Sequence, residues 1–176
     1  VRDGHAHLAL HEEVLDLRLA LEGGEPQNDD GNPGRAAASE FRDGGFNHGA
    51  FLLAQGAAAR GIELTASIWD VPAWMVTNPG SERNRKIPAE LYPELAESMG
   101  EWLRTARDVY GAEIAHVSFN EADIGVNVAL TPAEHTALIA EVRSRLAARG
   151  VRARWLRGDC ANMGGCVAYA RPIWES

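Results

Sequence analysis

The sequence predicts an α/β fold in which parallel strands alternate with outer helices. Three helix-like segments end in "ARGIEL", "VYGAEI" and "ARGVRA", where a glycine is followed at once by a strand-like run. Every helix-to-strand joint is short, whereas every strand-to-helix joint is long. Long loops at the carboxyl ends of parallel strands are where α/β enzymes keep their sites.

The predicted strands are 14–21, 62–69, 113–120 and 151–156. The last three follow Gly61, Gly111 and Gly150, which fit the left-handed cap that ends many helices. We expect residues 1–176 to form one domain. A (β/α)8 barrel takes about 250 residues, so four strands are roughly half of one. The strand pattern alone does not separate a barrel from an open sheet.

Three helices with an apolar stripe are predicted between the strands. The first covers about 46–60 and turns inward Phe51, Ala54 and Ala58. The second carries a stripe formed by Leu91, Leu95, Met99, Trp102, Leu103 and Ala106. The third carries Leu138, Ile139, Val142 and Leu146. Its predicted start is a capping box of Thr131 and Glu134, with Pro132 at the first helical position.

Composition excludes some classes of partner. The chain has 176 residues, is 45% hydrophobic and carries a formal net charge of −8. Nucleic-acid binding depends on clustered Lys and Arg, so we expect no nucleic-acid partner. No apolar run reaches the roughly 20 residues of a membrane helix, and no signal-peptide pattern opens the sequence. Both ends begin and stop abruptly, so we expect a fragment of a longer protein.

Two cysteines, Cys160 and Cys166, lie close together in the sequence. A structural metal site usually takes more ligands at tighter spacing, and we predict no metal or other cofactor. A disulfide and a pair of free thiols both fit this spacing, so the sequence leaves the redox compartment open.

The segment "HVSFNEADIG" places an amide and a carboxylate where a strand should end. Neighbouring strand residues point to opposite faces, so Asn120 and Glu121 can serve one site only if the alternation breaks there. A carboxylic acid can protonate a leaving oxygen, and a neighbouring amide can hold a substrate hydroxyl. The alternative is a solvated glutamate that caps the next segment.

Other candidates lie at or near the ends of neighbouring strands. Trp69 ends the second strand on the face of Thr65 and Ser67, and an indole can cover the apolar face of a sugar ring. Arg18 lies within the apolar strand "LDLRLAL", where it needs a carboxylate or amide partner. Asp30 lies in the loop after that strand, and Asp159 ends the last strand.

A metal-dependent alternative starts from "DGHAHL", in which His5 and His7 form an HxH pair. Such a pair at a strand end is the metal signature of amidohydrolase barrels. Those enzymes need a further His or Lys on later strands. The later strand ends here carry Trp69, Asn120, Glu121 and Asp159 instead, so we regard the pair as coincidental.

The order of these motifs resembles glycoside hydrolase family 30, the family of glucosylceramidases, β-1,6-glucanases and glucuronoxylanases, and its clan A relatives. The segments "ASIWDVPAWM" and "VSFNEADIG" are similar to the ends of the third and fourth barrel strands, and "VLDLRLALEGGEPQNDDGNP" is similar to strand 2. "LTPAEHTALIAEVRSRLAARGVRARWLRGDCAN" is similar to the next helix and strand. The resemblance covers nearly the whole chain after residue 13.

The resemblance implies strands 2 to 5 of a (β/α)8 barrel that cleaves O-glycosyl bonds with retention and without a cofactor. It implies that Glu121 is the general acid/base and that Asn120 binds a sugar hydroxyl. It also implies that Trp69 lines the sugar subsite and that Arg18 supports the carboxylates. The family's nucleophile lies on strand 7, beyond this chain, so we expect the fragment to be inactive. A non-catalytic carbohydrate-binding half-barrel remains an alternative. Many relatives are exported, which weakly favours secretion.

Overall fold

A computed structural model describes residues 14–20, 45–71, 73–81, 84–124, 128–161 and 163–176, with the backbone alone for 14–20, 45–47 and 70. Strands and helices alternate along the chain. They are β1 (Val14–Ala20), α1 (Gly45–Ala58), β2 (Glu63–Asp70), α2 (Tyr92–Tyr110), β3 (His116–Phe119), α3 (Pro132–Ala148), β4 (Arg154–Trp155) and α4 (Met163–Trp174). Short 3₁₀ turns at Ala73–Met75 and Ala89–Leu91 lie between β2 and α2.

The described strands form one sheet in the order β1-β2-β3-β4, and all three neighbouring pairs are parallel. The register aligns Arg18 with Ser67 and Ser67 with Ser118, so three strands are level at this height. The register shifts between Leu19 and Ala20, at the end of β1. The predicted α/β class with a parallel sheet is confirmed.

Two strands are shorter than the sequence predicts. β3 begins at His116 rather than at residue 113, and β4 is two residues long. The hydrogen-bonded ladder nevertheless extends past β3 at both ends, because Ala115 N donates to Leu64 O (2.9 Å) and Asn120 N donates to Ile68 O (3.1 Å). Asn120 is therefore held against β2 although it follows the strand.

The hydrophobic core lies between the helices and one face of the sheet. That face carries Leu64, Ala66, Ile68, Val117 and Phe119, all of which are buried. The helices contribute the predicted stripes, whose buried members include Phe51, Ala54, Leu95, Met99, Trp102, Leu103, Ala106, Leu138, Ile139, Val142 and Leu146. Because side chains alternate along a strand, the opposite face carries the polar residues Thr65, Ser67 and Ser118.

The helix boundaries follow from local chemistry. Thr131 accepts a hydrogen bond from the Glu134 amide, and the Glu134 carboxylate accepts one from the Thr131 amide, so the predicted capping box is present. Gly111 caps α2 in the left-handed conformation with φ 65°. Such a backbone is strained for any residue with a Cβ, which explains the glycine.

Helix α4 was not predicted, because "GDCANMGGCV" was interpreted as a loop. A disulfide between Cys160 and Cys166 connects the segment after β4 to this helix, with the two Cα atoms 5.4 Å apart. It resolves the choice between a disulfide and two thiols. None of the described helices is long and apolar enough to cross a membrane.

Candidate functional site at the carboxyl edge of the sheet

The loops that follow β2, β3 and β4 lie at one edge of the sheet, because the strands are parallel. Trp69 occupies the end of β2, and Asn120 and Glu121 follow β3 directly. Asp159 follows β4. The fold thus places four of the predicted site residues at the same edge of the sheet.

Glu121 lies in a tight turn. Its φ is 45°, and it is one of two non-glycine residues with positive φ in the described part of the chain. Strand residues have negative φ, so this turn breaks the strand alternation at Glu121. Left-handed backbone is also costly for a residue with a Cβ. Ile124 N donates to Glu121 O (3.2 Å), and Leu130 N closes the loop on Ala122 O (2.9 Å). Glu121 is half-buried, and the next residue, Ala122, is buried.

Asn120 is fixed through its backbone and keeps a side-chain donor available. Its amide bonds to Ile68 O in β2. Its side-chain nitrogen Nδ2 is buried, and no acceptor for it is found among the residues that the structure describes. A buried polar group usually has a partner, so this nitrogen is suited to an incoming oxygen.

A chain of polar side chains crosses the sheet next to this turn. Ser67 Oγ lies 2.8 Å from Ser118 Oγ, which also donates to Asp159 Oδ2 at 3.2 Å. The chain thus links β2, β3 and the segment after β4. It borders an open groove of about 390 Å³ lined by Thr65, Ser67, Ser118, Leu156, Arg157, Gly158 and Asp159. Glu121, Asn120 and Trp69 are not among the lining residues.

The opposite end of the polar face carries a cluster of ionisable side chains. His116 Nδ1 lies 3.2 Å from Glu63 Oε1, and Arg154 Nη2 lies 3.4 Å from Glu63 Oε2.

Within the described residues, no group of three or more His, Cys, Asp or Glu side chains is placed to hold a metal ion.

The loops after β2 and β3 are tied together at this edge. Ala129 N donates to Arg85 O (2.8 Å), and Lys86 Nζ lies 2.7 Å from Glu134 Oε2. The hydrogen bond from Lys86 and then the one from the Thr131 amide hold the pKa of the Glu134 carboxyl below its usual range. Glu134 therefore caps α3 and anchors the loop after β2.

Asp123 ties the loop after β3 to the segment after β4. Its Oδ1 accepts a hydrogen bond from Ala161 N at 3.1 Å. Tyr169 Oη of α4 lies 2.9 Å from Nδ1 of the fully buried His135. Burial raises the pKa of Tyr169, and the charges of Asp123, Glu134 and Asp159 raise it further. Burial, followed by the charge of Arg157, lowers the pKa of His135 to about 4, so this imidazole is neutral at pH 7.

The remaining predicted residues have different outcomes. Trp69 is half-buried at the strand end, and the backbone register sets Arg18 level with Ser67. Asp30, His5 and His7 lie outside the described residues. Sequence reasoning missed the Ser67–Ser118–Asp159 chain as a connected unit and missed Asp123 altogether. The shared face of Ser67 and Ser118 could have indicated the first pair.

Comparisons with known proteins support a fold assignment. No protein-family model matches the chain, and no curated protein matches its sequence. Solved structures do match. SrfJ from Salmonella typhimurium has 21% identity and a TM-score of 0.71 over 93% of this chain and 38% of its own. The catalytic domain of GH30 xylanase C from Talaromyces cellulolyticus has 17% identity and a TM-score of 0.75 over 93% of this chain and 40% of its own.

The endo-β1,6-glucanase BT3312 is similar as well, with 16% identity and a TM-score of 0.68 over 93% of this chain and 40% of its own. This chain therefore spans about 40% of the length of these structures. The resemblance to glycoside hydrolase family 30 is confirmed at the level of the fold. The chain has the fold of part of a glycoside hydrolase family 30 protein.

Proposed function

We propose that the chain is part of a retaining β-glycosidase, comprising four of the eight strands of a (β/α)8 barrel. The observation that carries this proposal is the position of Glu121, in a strained turn at the carboxyl edge of a sheet whose structural neighbours include xylanases and a glucanase. Active sites of such barrels lie at this edge. The substrate is a β-linked glycan or glycoside, and neither a metal nor another cofactor takes part.

In this mechanism Glu121 is the general acid/base. Its protonated form gives a proton to the leaving glycosidic oxygen, and its carboxylate then takes a proton from the attacking water. The buried Nδ2 of Asn120 supports a role in holding a sugar hydroxyl. Trp69 covers one face of the sugar, and Arg18, Asp30 and Asp159 contribute further substrate contacts.

A retaining mechanism needs a second carboxyl group about 5 Å from the acid/base. In glycoside hydrolase family 30, which the sequence resembles, the nucleophile lies on strand 7, so we expect it beyond the four strands present here. We therefore propose that residues 1–176 alone form one incomplete catalytic domain and turn over no substrate.

An activity assay on this chain tests the last point. With an aryl β-glycoside, the purified chain is expected to release no more phenol than buffer. Glu113 is exposed and precedes β3, at the opposite edge of the sheet, so Glu113→Gln is the matched control for Glu121→Gln. Turnover that disappears in Glu121→Gln but persists in Glu113→Gln would overturn the proposed inactivity.

Two alternative functions can be tested by simple measurements. A non-catalytic carbohydrate-binding half-barrel predicts that oligosaccharides bind without turnover and that Glu121→Gln leaves the affinity unchanged. The amidohydrolase alternative depends on His5 and His7, and it predicts stoichiometric metal in the purified protein. The structural neighbours include two xylanases and an endo-β1,6-glucanase, which supports the glycosidase proposal over the amidohydrolase alternative.

A further inference from the structure

The turn that carries Glu121 needs an external support. A non-glycine residue in left-handed backbone persists only where surrounding contacts over-determine its conformation. On its amino side the turn is anchored by the Asn120 N to Ile68 O bond. On its carboxyl side the bonds of Ile124 N and Leu130 N close within the same loop. These closures within the loop do not connect the turn to β4.

Asp123 provides the connection to β4. Asp123 lies two residues after Glu121. Its Oδ1 accepts a hydrogen bond from Ala161 N at 3.1 Å, and the two residues are 38 positions apart in sequence. A hydrogen bond in which the acceptor is ionised is roughly twice as strong as a neutral one. This contact therefore fixes the position of the turn relative to the next strand.

The donor side of this contact is itself fixed. Three consecutive residues after β4 are each tied to a different element. Asp159 accepts from Ser118 of β3, Cys160 is bonded to Cys166 of α4, and Ala161 donates to Asp123. Gly158, just before them, packs so closely on Ala170 of α4 that a Cβ would lie 2.5 Å from the Ala170 Cβ. Independently of Asp123, residues 158–160 directly before the donor are therefore held against β3 and α4.

We propose that Asp123 is a positioning residue, which holds the Glu121 turn in its left-handed conformation by accepting the Ala161 N–H from the disulfide-anchored segment 159–161. The inference rests on the proposed role of Glu121 for its functional meaning. The geometry it concerns is measurable without substrate. In the complete enzyme, the same contact sets where the acid/base carboxyl stands relative to the neighbouring strand end.

The test is amide NMR on the whole 176-residue chain, comparing Asp123→Ala, Asp123→Asn and the control Asp108→Ala. Asp108 is an exposed aspartate near the end of α2, where it pairs with Arg107. Two readouts are local: hydrogen exchange at the Ala161 amide, and the strong intraresidue NOE between the Glu121 amide and α protons that positive φ produces. Far-UV circular dichroism verifies folding.

We expect Asp123→Ala to accelerate Ala161 exchange at least tenfold and to weaken the Glu121 NOE. Asp123→Asn keeps a neutral oxygen acceptor. Exchange at the Ala161 amide should therefore accelerate by about fivefold or less, and the Glu121 NOE should remain. Asp108→Ala should change neither readout. A Cys160→Ser/Cys166→Ser double variant should change Ala161 exchange and the NOE in the same direction as Asp123→Ala.

The proposal is overturned if folded Asp123→Ala keeps the Glu121 NOE unchanged, whatever happens to Ala161 exchange, or if Asp108→Ala alters the readouts equally. If Asp123→Ala does not fold, Asp123→Asn and the cysteine double variant decide, and unchanged exchange at Ala161 in both overturns it. Failure of the glycosidase proposal would show in the turnover assays and would leave these NMR results untouched, so the two failures are distinguishable.

Discussion

Position 121 has a backbone conformation that suits glycine better than glutamate. With φ at 45°, any side chain with a Cβ is strained by about 1 kcal/mol or more. Strain of this kind clusters at functional sites, because a catalytic group must be aimed in one direction. The choice of glutamate is therefore easier to explain by function than by stability.

This strain gives a first prediction. Glu121→Gly should be more stable than Glu121→Ala by about 1 kcal/mol, which reverses the usual preference for alanine within regular structure. Urea unfolding of the two variants measures the difference. An alanine variant as stable as the glycine variant would mean that φ at position 121 is not positive in solution.

A second prediction concerns His135, which is fully buried in α3 against Phe119 and Tyr169. Its pKa of about 4 lies below the usual 6.5, so below pH 6.5 the unfolded chain binds a proton that the folded chain does not. This contribution to stability is fully present above pH 6.5 and is lost as the pH falls towards 4. Between about pH 7.5 and pH 5 the loss should be about 2 kcal/mol.

Urea unfolding at several pH values measures this loss of stability. The His135→Gln variant should not show the loss, although glutamine still offers Tyr169 a polar partner. If His135→Gln and the unmodified chain lose stability equally over this range, another group is responsible.

Among the helices and strands, sequence patterns within one element predicted its structure, whereas contacts between residues far apart in sequence could not be predicted. The capping box of Thr131 and Glu134 lies within four residues, and the stripes of α2 and α3 follow one helical period. Helix α4 was missed because Gly164 and Gly165 in its first turn and Pro172 near its end are poor helix formers. Its stripe of Met163, Val167, Ala170 and Trp174 was the available signal.

The contacts that shape the site join residues far apart in sequence. Ser67 meets Ser118 across 51 positions, and Asp123 meets Ala161 across 38. A single sequence shows which strand ends carry polar side chains, and this was enough to select Asn120, Glu121 and Asp159. It does not show which of these side chains bond to one another, because that depends on register.

The packing of the segment after β4 against α4 gives a third prediction. Gly158 has φ 78° and no room for a Cβ next to Ala170, whereas Gly150 has φ 74° and open space around it. Gly150→Ala should cost about 1 kcal/mol from the backbone alone. Gly158→Ala should cost about 2–4 kcal/mol, because overpacking adds to the same strain. Thermal or urea unfolding compares them, and equal losses would contradict the close approach of α4.

At the scale of the whole molecule, the described part of the sheet has a polar face with an open groove, and α4 exposes large apolar side chains. Met163 is 88% exposed, Trp174 64% and Val167 59%. Exposed apolar patches of this kind usually mark interaction or aggregation sites. In the barrel proposed for the complete protein, we expect a further βα unit to cover this side of α4.

We therefore predict that the isolated chain self-associates as its concentration rises. A Met163→Lys/Val167→Lys double variant should shift the sedimentation-velocity distribution towards monomer. Ala137→Lys, on the exposed side of α3, is the control and should leave the distribution unchanged. A stable, discrete dimer would favour the half-barrel alternative, and a chain that is monomeric at every concentration would contradict the prediction.

The central claim is that Glu121 is the acid/base of a retaining glycosidase, and azide rescue tests it most directly. The chain would replace the matching segment of the Talaromyces cellulolyticus xylanase C domain, which supplies the other strands. With a substrate whose leaving group needs no protonation, Glu121→Ala should lower turnover by about 10²–10⁴-fold, because no base then activates the water. Azide needs no base, so it should restore turnover and yield a β-glycosyl azide. A folded hybrid in which Glu121→Ala keeps full turnover, or loses it without rescue by azide, would contradict the claim.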